Sequence, residues 1–295
     1  MIFLAFAIVK FIPSLLAPLR SPKTAFYYSK NVCYNQDTMY LAIDIGGTKT
    51  LIALFSRRGR VIRRRKFKTA QGYKSFMRDL ETNLESFHRR RVKAVTVAIP
   101  GLVQKNYSVK FGNRNWQDID LIGLLRKLFS CPIWFENDAN LASLYEGYRL
   151  PGKTVFLTFS TGIGGGVVEK NRILPESNSL EPGHVMYTYD GVEREWEDIA
   201  AASAIESYYH IDRATDLRKK EVMQDIARRI SLGLPDIIKQ YQPNTIILGG
   251  PMGRVFRLYE PYLPKNLGVR LRRPRRPNES VIYGCYLYSK QKELE

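Results

Sequence analysis

Two rhythms of apolar and polar positions divide the chain. Residues 40–45 are apolar except for Asp44, two glycines follow, and residues 50–56 are apolar again, which predicts strand, turn and strand. A turn at Arg58-Gly59 leads into a third strand over 61–68. Then the period lengthens. Tyr73, Phe76, Met77, Leu80, Leu84 and Phe87 recur at steps of three and four, the stripe of an amphipathic helix, and a β-rich run over 92–99 stops at Pro100-Gly101. Three meandering strands, a helix and a fourth strand make a layered α/β unit. A helix over 119–129, a short buried strand over 132–135 and a helix over 140–148 complete this half.

The second half repeats the opening theme. A strand over 154–159 runs into a glycine-rich turn, Ser160-Thr161-Gly162-Ile163-Gly164-Gly165-Gly166, and returns over 167–169, with Asn171-Arg172 turning into Ile173-Leu174. Helices are expected near 195–208 and over 220–241, the latter interrupted at Gly233 and Pro235. A buried strand over 245–248 ends in Gly249-Gly250, and a helix over 279–292 closes the chain.

Ahead of all this, residues 2–19 are apolar except for Lys10 and Ser14 and are broken by Pro13 and Pro18. Lys10 at the middle argues against a membrane span, and no small-residue cleavage site supports a signal peptide. We expect the folded protein to begin at Met39, with 1–38 an extension from an early start; as a membrane-associated segment it would leave the remainder cytoplasmic, given Arg20, Lys23 and Lys30.

Composition narrows the class. With 295 residues and 44% hydrophobic content the chain can bury a core of about two ordinary domains. Cys33, Cys131 and Cys285 are far apart and in no metal-binding spacing, so neither a disulfide framework nor a cysteine metal site is expected. A reducing cytoplasm fits. Lys and Arg exceed Asp and Glu by 46 to 28, a net +18 concentrated in blocks at 57–68, 89–93 and 270–276. Such charge attracts polyanions. The blocks lack interleaved aromatics and any recognition motif, so nucleic acid is not an expected partner.

The first glycine turn carries candidate chemistry. Gly46 and Gly47 lack a Cβ, so a polyphosphate can approach backbone N–H groups. Thr48 adds a hydroxyl, Lys49 a positive charge, and Asp44 a carboxylate able to hold Mg²⁺ directly or through water. An ordinary hairpin accounts for the same stretch. Two such hairpins facing each other read as a pair of phosphate cradles.

Seven ordered motifs together resemble one family, the ROK sugar kinases and repressors of the actin-like and hexokinase-like ATPase superfamily. They are Asp44-Ile45-Gly46-Gly47-Thr48-Lys49; Ala98-Ile99-Pro100-Gly101; Asn113-Arg114-Asn115-Trp116; Glu136-Asn137-Asp138-Ala139-Asn140; the 160–166 turn; Glu181-Pro182-Gly183-His184; and Leu248-Gly249-Gly250. The resemblance runs from Met39 to about Lys290. It implies a two-domain α/β fold of the actin-like (ribonuclease H-like) type with an interdomain cleft. The expected small lobe is 39–140 plus 278–295, and the large lobe 141–277.

It also implies residue roles. Asp138 matches the family's general base, taking the proton from a sugar hydroxyl as it attacks a γ-phosphoryl group. Asn113, Asn137, Glu181, His184 and Glu197 match sugar-contacting positions. ATP would lie along Asp44, Gly46, Gly47, Thr48, Lys49, Thr161, Gly162, Gly164, Gly165, Gly249 and Gly250, with Mg²⁺ at Asp44. Singly, each has a plainer reading: an N-cap for Asn137 or Asp138, a turn residue for Asn113, a loop histidine for His184, solvated faces for the glutamates. The chain departs from the family in having no C-x-C-G-x-x-G-C zinc loop, since residues 185–196 contain no cysteine. No structural zinc is therefore expected, and Trp196 and Tyr187 are expected to stiffen that loop by packing. The implied function is ATP- and Mg²⁺-dependent phosphorylation of a hexose or N-acetylhexosamine, at the 6-hydroxyl. A non-catalytic sugar sensor and a kinase using polyphosphate as donor are the alternatives, and a homodimer like those of many relatives stays open.

Overall fold

The computed structural model describes residues 38–87, 92–101, 116, 120–210 and 219–295. The apolar extension, Asn113 and the 89–91 arginine run lie outside the described residues.

Two five-stranded sheets organise the molecule. The first is built from β1 (Met39–Ile45), β2 (Lys49–Ser56), β3 (Val61–Lys68), β4 (Val92–Ile99) and β5 (Ile133–Asn137), in the order β3-β2-β1-β4-β5. The opening meander is antiparallel, whereas β4 and β5 run parallel to β1, reached through the helices α1 (Tyr73–Leu84) and α2 (Leu121–Leu128). Alternation sorts β1 onto two faces. Leu41, Ile43 and Ile45 pack with Phe76, Leu80 and Leu84 of α1. Tyr40 and Ala42, with Ala53, Ala94 and Ala98, face the closing helix α10 (Ser280–Lys292) through Ile282 and Cys285. Alanines on that face keep it shallow, so the helix lies close.

The second sheet has the order β12-β11-β6-β7-β8, from β6 (Thr154–Phe159), β7 (Ile163–Glu169), β8 (Arg172–Ile173), β11 (Thr245–Gly249) and β12 (Arg270–Arg272). Between β8 and β11 come the hairpin β9 (Met186–Tyr189) and β10 (Val192–Glu195) and the helices α4 (Trp196–Ala200), α5 (Ala202–Tyr209), α6 (Lys220–Ser231) and α7 (Leu234–Tyr241). Trp196 is fully buried, edge-on to Phe159 and Tyr187, and its indole N–H donates to the Arg229 carbonyl at 3.0 Å, so aromatic packing does hold the cysteine-free loop.

Helix α3 (Asp138–Gly147) lies between the sheets, packing on α10 on one side and on β6 and β7 on the other. Close approach on both sides depends on glycine. A Cβ at Gly284 would sit 1.9 Å from the Leu141 carbonyl oxygen, and one at Gly166 2.6 Å from Ser143 Oγ. The expected lobe boundary at 140/141 thus falls inside a helix that both sheets share.

Two elements differ from expectation. Only 160–162 of the second glycine stretch is turn; Gly164, Gly165 and Gly166 are strand residues of β7, and at Gly165 and Gly166 Leu180 and α3 fill the space a side chain would need. The helix expected over 195–208 is broken at Ala201, which is extended (φ −60°, ψ 152°). The break turns the start of α5 onto the second hairpin, where Ser203 N–H and Oγ donate to the carbonyls of Ser160 and Thr161 at 3.1 and 2.9 Å.

Candidate active site

Parallel pairing brings the principal carboxylates to one edge of the first sheet. In register, Asp44 sits opposite Ala98 and Ala98 opposite Glu136, so the carboxyl ends of β1, β4 and β5 line up. Asp138 follows β5 as the first residue of α3. Two strand spacings, about 10 Å between backbones, separate β1 from β5, a span that inward-pointing carboxylates shorten. Both groups are largely withdrawn from solvent without being sealed off from it. Burial is the main cause that raises Asp44 to about 7; the charge of Asp138 adds to it and Lys49 opposes it. Asp138 is raised to about 6 by burial, opposed by the Ala139 N–H that donates to its Oδ1 at 2.8 Å.

Around them the motif residues are braced. Asn137 is the N-cap of α3: its Oδ1 accepts from Ala139 N–H at 2.8 Å and Asn140 N–H at 3.1 Å, and its Nδ2 donates to the Gly101 carbonyl at 3.1 Å. The plain capping role read for this residue is therefore filled. Glu136 Oε1 accepts from the Asn137 N–H and from Asn140 Nδ2, fixing the start of the helix from behind.

The first hairpin turn is held by a residue the sequence did not single out. Thr69 donates its hydroxyl to the Gly46 carbonyl at 2.8 Å, donates its N–H to the Thr48 carbonyl at 3.1 Å, and meets the Thr50 hydroxyl at 3.0 Å. Gly46 spends its own N–H on the Lys49 carbonyl at 3.1 Å, closing the turn. Above Gly47, by contrast, the space a Cβ would occupy is open, and Thr48 and Lys49 are exposed beside it.

Among the other expected nucleotide glycines, space is open only at Gly164, whose added Cβ would touch Thr158 Cγ2 at an ordinary 3.7 Å. Gly162 gives way to Glu197 Oε2, Gly165 to Leu180 and the Phe156 carbonyl, and Gly249 to the Phe156 ring. Gly250 takes φ +68° and abuts the Phe159 backbone, a position only glycine fills without strain. At those four, packing within the protein already requires glycine. Together they seat β7 and the short helix α8 (Gly250–Arg254), whose last residue, Arg254, no motif signalled.

A second group gathers on the other sheet. Glu197 Oε2 accepts from the Ile163 N–H at 3.3 Å and presses on Gly162 and Gly183, tying the second turn to the 181–184 segment. His184 Nδ1 lies 3.0 Å from Glu195 Oε2, a partner missed because a glutamate at the end of a polar hairpin reads as a solvated residue. That hydrogen bond is the main cause raising His184 above the usual histidine range, with the charges of Glu197, Glu195 and Glu181 adding and burial opposing. Ligand atoms of His184, Glu195 and Glu197 all lie within 4.8 Å of one another, so the loop expected to offer His184 no metal partner supplies two carboxylates. Glu181 is exposed beside them. No hydrogen bond or ion pair among the described residues joins Asp44 or Asp138 to this group.

Residues 40–283 match the model of the ROK family. The chain belongs to the ROK family. Its relatives include both kinases and repressors: it is 33% identical over 156 residues to the N-acetylmannosamine kinase of Salmonella arizonae, covering 50% of this chain and 53% of that protein, and 24% identical over 180 residues to the xylose repressor of Bacillus spizizenii, covering 52% and 47%. The chain spans about half the length of these curated relatives. The crystal structure of a ROK hexokinase from Thermus thermophilus superposes with a TM-score of 0.65 at 26% identity, covering 86% of this chain and 99% of that one. The architecture is the actin-like ATPase fold of the ROK kinases. No helix among the described residues is long and apolar enough to cross a membrane.

Proposed function

We infer that this ROK protein is a sugar kinase that transfers the γ-phosphoryl group of ATP to a hydroxyl of a hexose or N-acetylhexosamine, at the 6-position. The observation that carries the reading is the Asp44–Asp138 pair: two recessed carboxylates within electrostatic reach at one sheet edge, one of them poised near 6. A base with such a pKa is largely ionised at neutral pH yet still basic enough to accept a proton.

Asp138 Oδ takes the hydroxyl proton as the sugar oxygen bonds to phosphorus; the bond from phosphorus to the bridging oxygen breaks, and ADP leaves with that electron pair. General base catalysis of this kind supplies about 10²–10⁴-fold, and placement and charge neutralisation the remainder. Lys49, Thr48 and the open face of Gly47 hold the phosphate chain, and Gly164 offers a second approach. Glu181, His184 and Glu197 supply sugar contacts, Glu195 holding the imidazole in place. A divalent cation fits Asp44, because a carboxylate raised by burial, and further by a like-charged neighbour, is relieved by positive charge. Mg²⁺ there would neutralise charge on the phosphate chain.

The test is ADP release from purified protein over glucose, fructose, mannose, allose, N-acetylglucosamine and N-acetylmannosamine, beside Asp138→Asn. Turnover with one sugar, abolished in the variant, supports the kinase. Sugar binding without turnover would instead establish a sensor, the reading that the likeness to xylose repressors favours.

A further inference from the structure

Arg229, the buried arginine of the described core, is paired. It donates to Asp225 at 2.5 Å and to the Ile199 carbonyl at 3.2 Å. Arg254 is different. Its Nε is buried with no acceptor, no carboxylate among the described residues pairs with it, and burial lowers its pKa. A guanidinium stripped of part of its water and given no partner costs stability.

Its surroundings raise that cost. Lys49 opens β2 on the other sheet, and its ammonium pKa is lowered first by burial and then by the charges of Lys66 and Arg254. Strand register puts Lys66 on the same face: Lys49 pairs with Lys68, and Lys66 lies two positions along β3. Lys66 of β3 and Arg254 at the end of α8 thus both act on Lys49 through their charges, with Asp44 opposing them. A neutral sugar gives no reason for this arrangement. A polyanion on the exposed stripe of β3 would not need a recessed Nε either.

We propose that Arg254 binds the phosphate chain of the donor, a linear run of phosphates lying between Lys49 and Lys66 of the first sheet and Arg254 at the end of α8. The ligand chemistry follows from the charges alone; its role as phosphoryl donor rests on the kinase reading above. The anion offsets the mutual repulsion of these cations. Arg254 contacts the phosphates themselves, leaving the adenosine contacts to others.

Arg254→Met keeps the aliphatic stem and deletes the charge. By calorimetry the variant binds inorganic tripolyphosphate and a non-hydrolysable ATP analogue about tenfold to a hundredfold more weakly than the unchanged protein, while adenosine binds equally well. Without ligand its melting temperature is equal to or above that of the unchanged protein, because repulsion has been removed; tripolyphosphate no longer raises it. Arg254→Lys retains part of the binding and serves should the Met variant misfold. Turnover with ATP and with long-chain polyphosphate, compared in the unchanged protein, tells which source of phosphates is used. Unaltered tripolyphosphate affinity in both variants overturns the proposal even if the enzyme phosphorylates sugars. Loss of that affinity, in a protein that turns over no sugar, sustains it while the kinase reading falls.

Discussion

Asp138 and Asp44 are each pushed far above the ordinary carboxylate range by burial, and Asp44 further by its neighbour's charge, so their ionisation falls in the working range of pH. For catalysis Asp138 must be deprotonated, hence kcat/KM rises with pH through about 6, with a second contribution near 7 from Asp44 unless a bound cation lowers it. A pH profile flat from 5 to 8 would count against Asp138 as base. Asp138→Asn is expected to lower kcat about 10²–10⁴-fold while the protein folds normally. For stability the sign is opposite. Asp44 titrates higher folded than unfolded, so its contribution is fully present below about 4, where both states are protonated, and is lost as pH rises through about 7. Asp44→Asn therefore melts higher than the unchanged protein at pH 8, by a margin that closes below pH 5. One substitution gains stability and removes activity, as expected of a residue kept for its chemistry.

Gly284 lets α10 lie against α3, and the element scale decides what its replacement does. In an exposed helix, glycine to alanine stabilises by about 0.5–1 kcal/mol. Here the new methyl would stand 1.9 Å from a backbone oxygen, which no side-chain rotation relieves. Gly284→Ala should cost about 1–3 kcal/mol in a denaturant titration, the overpacking term outweighing propensity. The hairpin β9–β10, the strand β12 and the helix α8 are too short to show a period and were not read from the sequence, whereas the meander over 39–68, the stripe of α1, the strand β6 and the closing helix were legible because alternation and the helical stripe are local signals. The break at Ala201 was not, because alanine is the strongest helix former and the extended backbone there is imposed by Ser203 reaching the second turn. Thr69, Glu195 and Arg254 escaped for a related reason. Each acts through a partner distant in sequence or through the lack of one, and single polar residues carry no period. The nearness of Asp44 to Asp138 likewise depends on β4 lying between β1 and β5, a fact of sheet order that the family motifs implied and the residues alone did not.

At the scale of the whole molecule, the +18 charge is divided between two kinds of site. Arg63, Arg64 and Arg65 run along β3, an edge strand, and are exposed, so water and salt screen them. Such an edge also resists pairing with another chain, since charged side chains line its unpaired backbone. Arg254 is half-buried with its Nε shut off from water, and Lys49, though exposed, has its ammonium pKa lowered by partial burial and by the neighbouring charges, so screening reaches both less. The two populations separate under salt and substitution. Replacing Arg63 and Arg65 by Glu should weaken retention on heparin and leave kcat and both KM values within about twofold, because charges beyond a Debye length, about 8 Å at physiological ionic strength, contribute little. Replacing Lys49 by Met should raise KM for the phosphate donor at least tenfold, with KM for the sugar little changed, since the sugar carries no charge for Lys49 to meet. If instead the β3 charges controlled donor KM and Lys49 did not, the phosphate chain would have to lie along the outer edge of the first sheet, and the unpaired Arg254 would need another explanation.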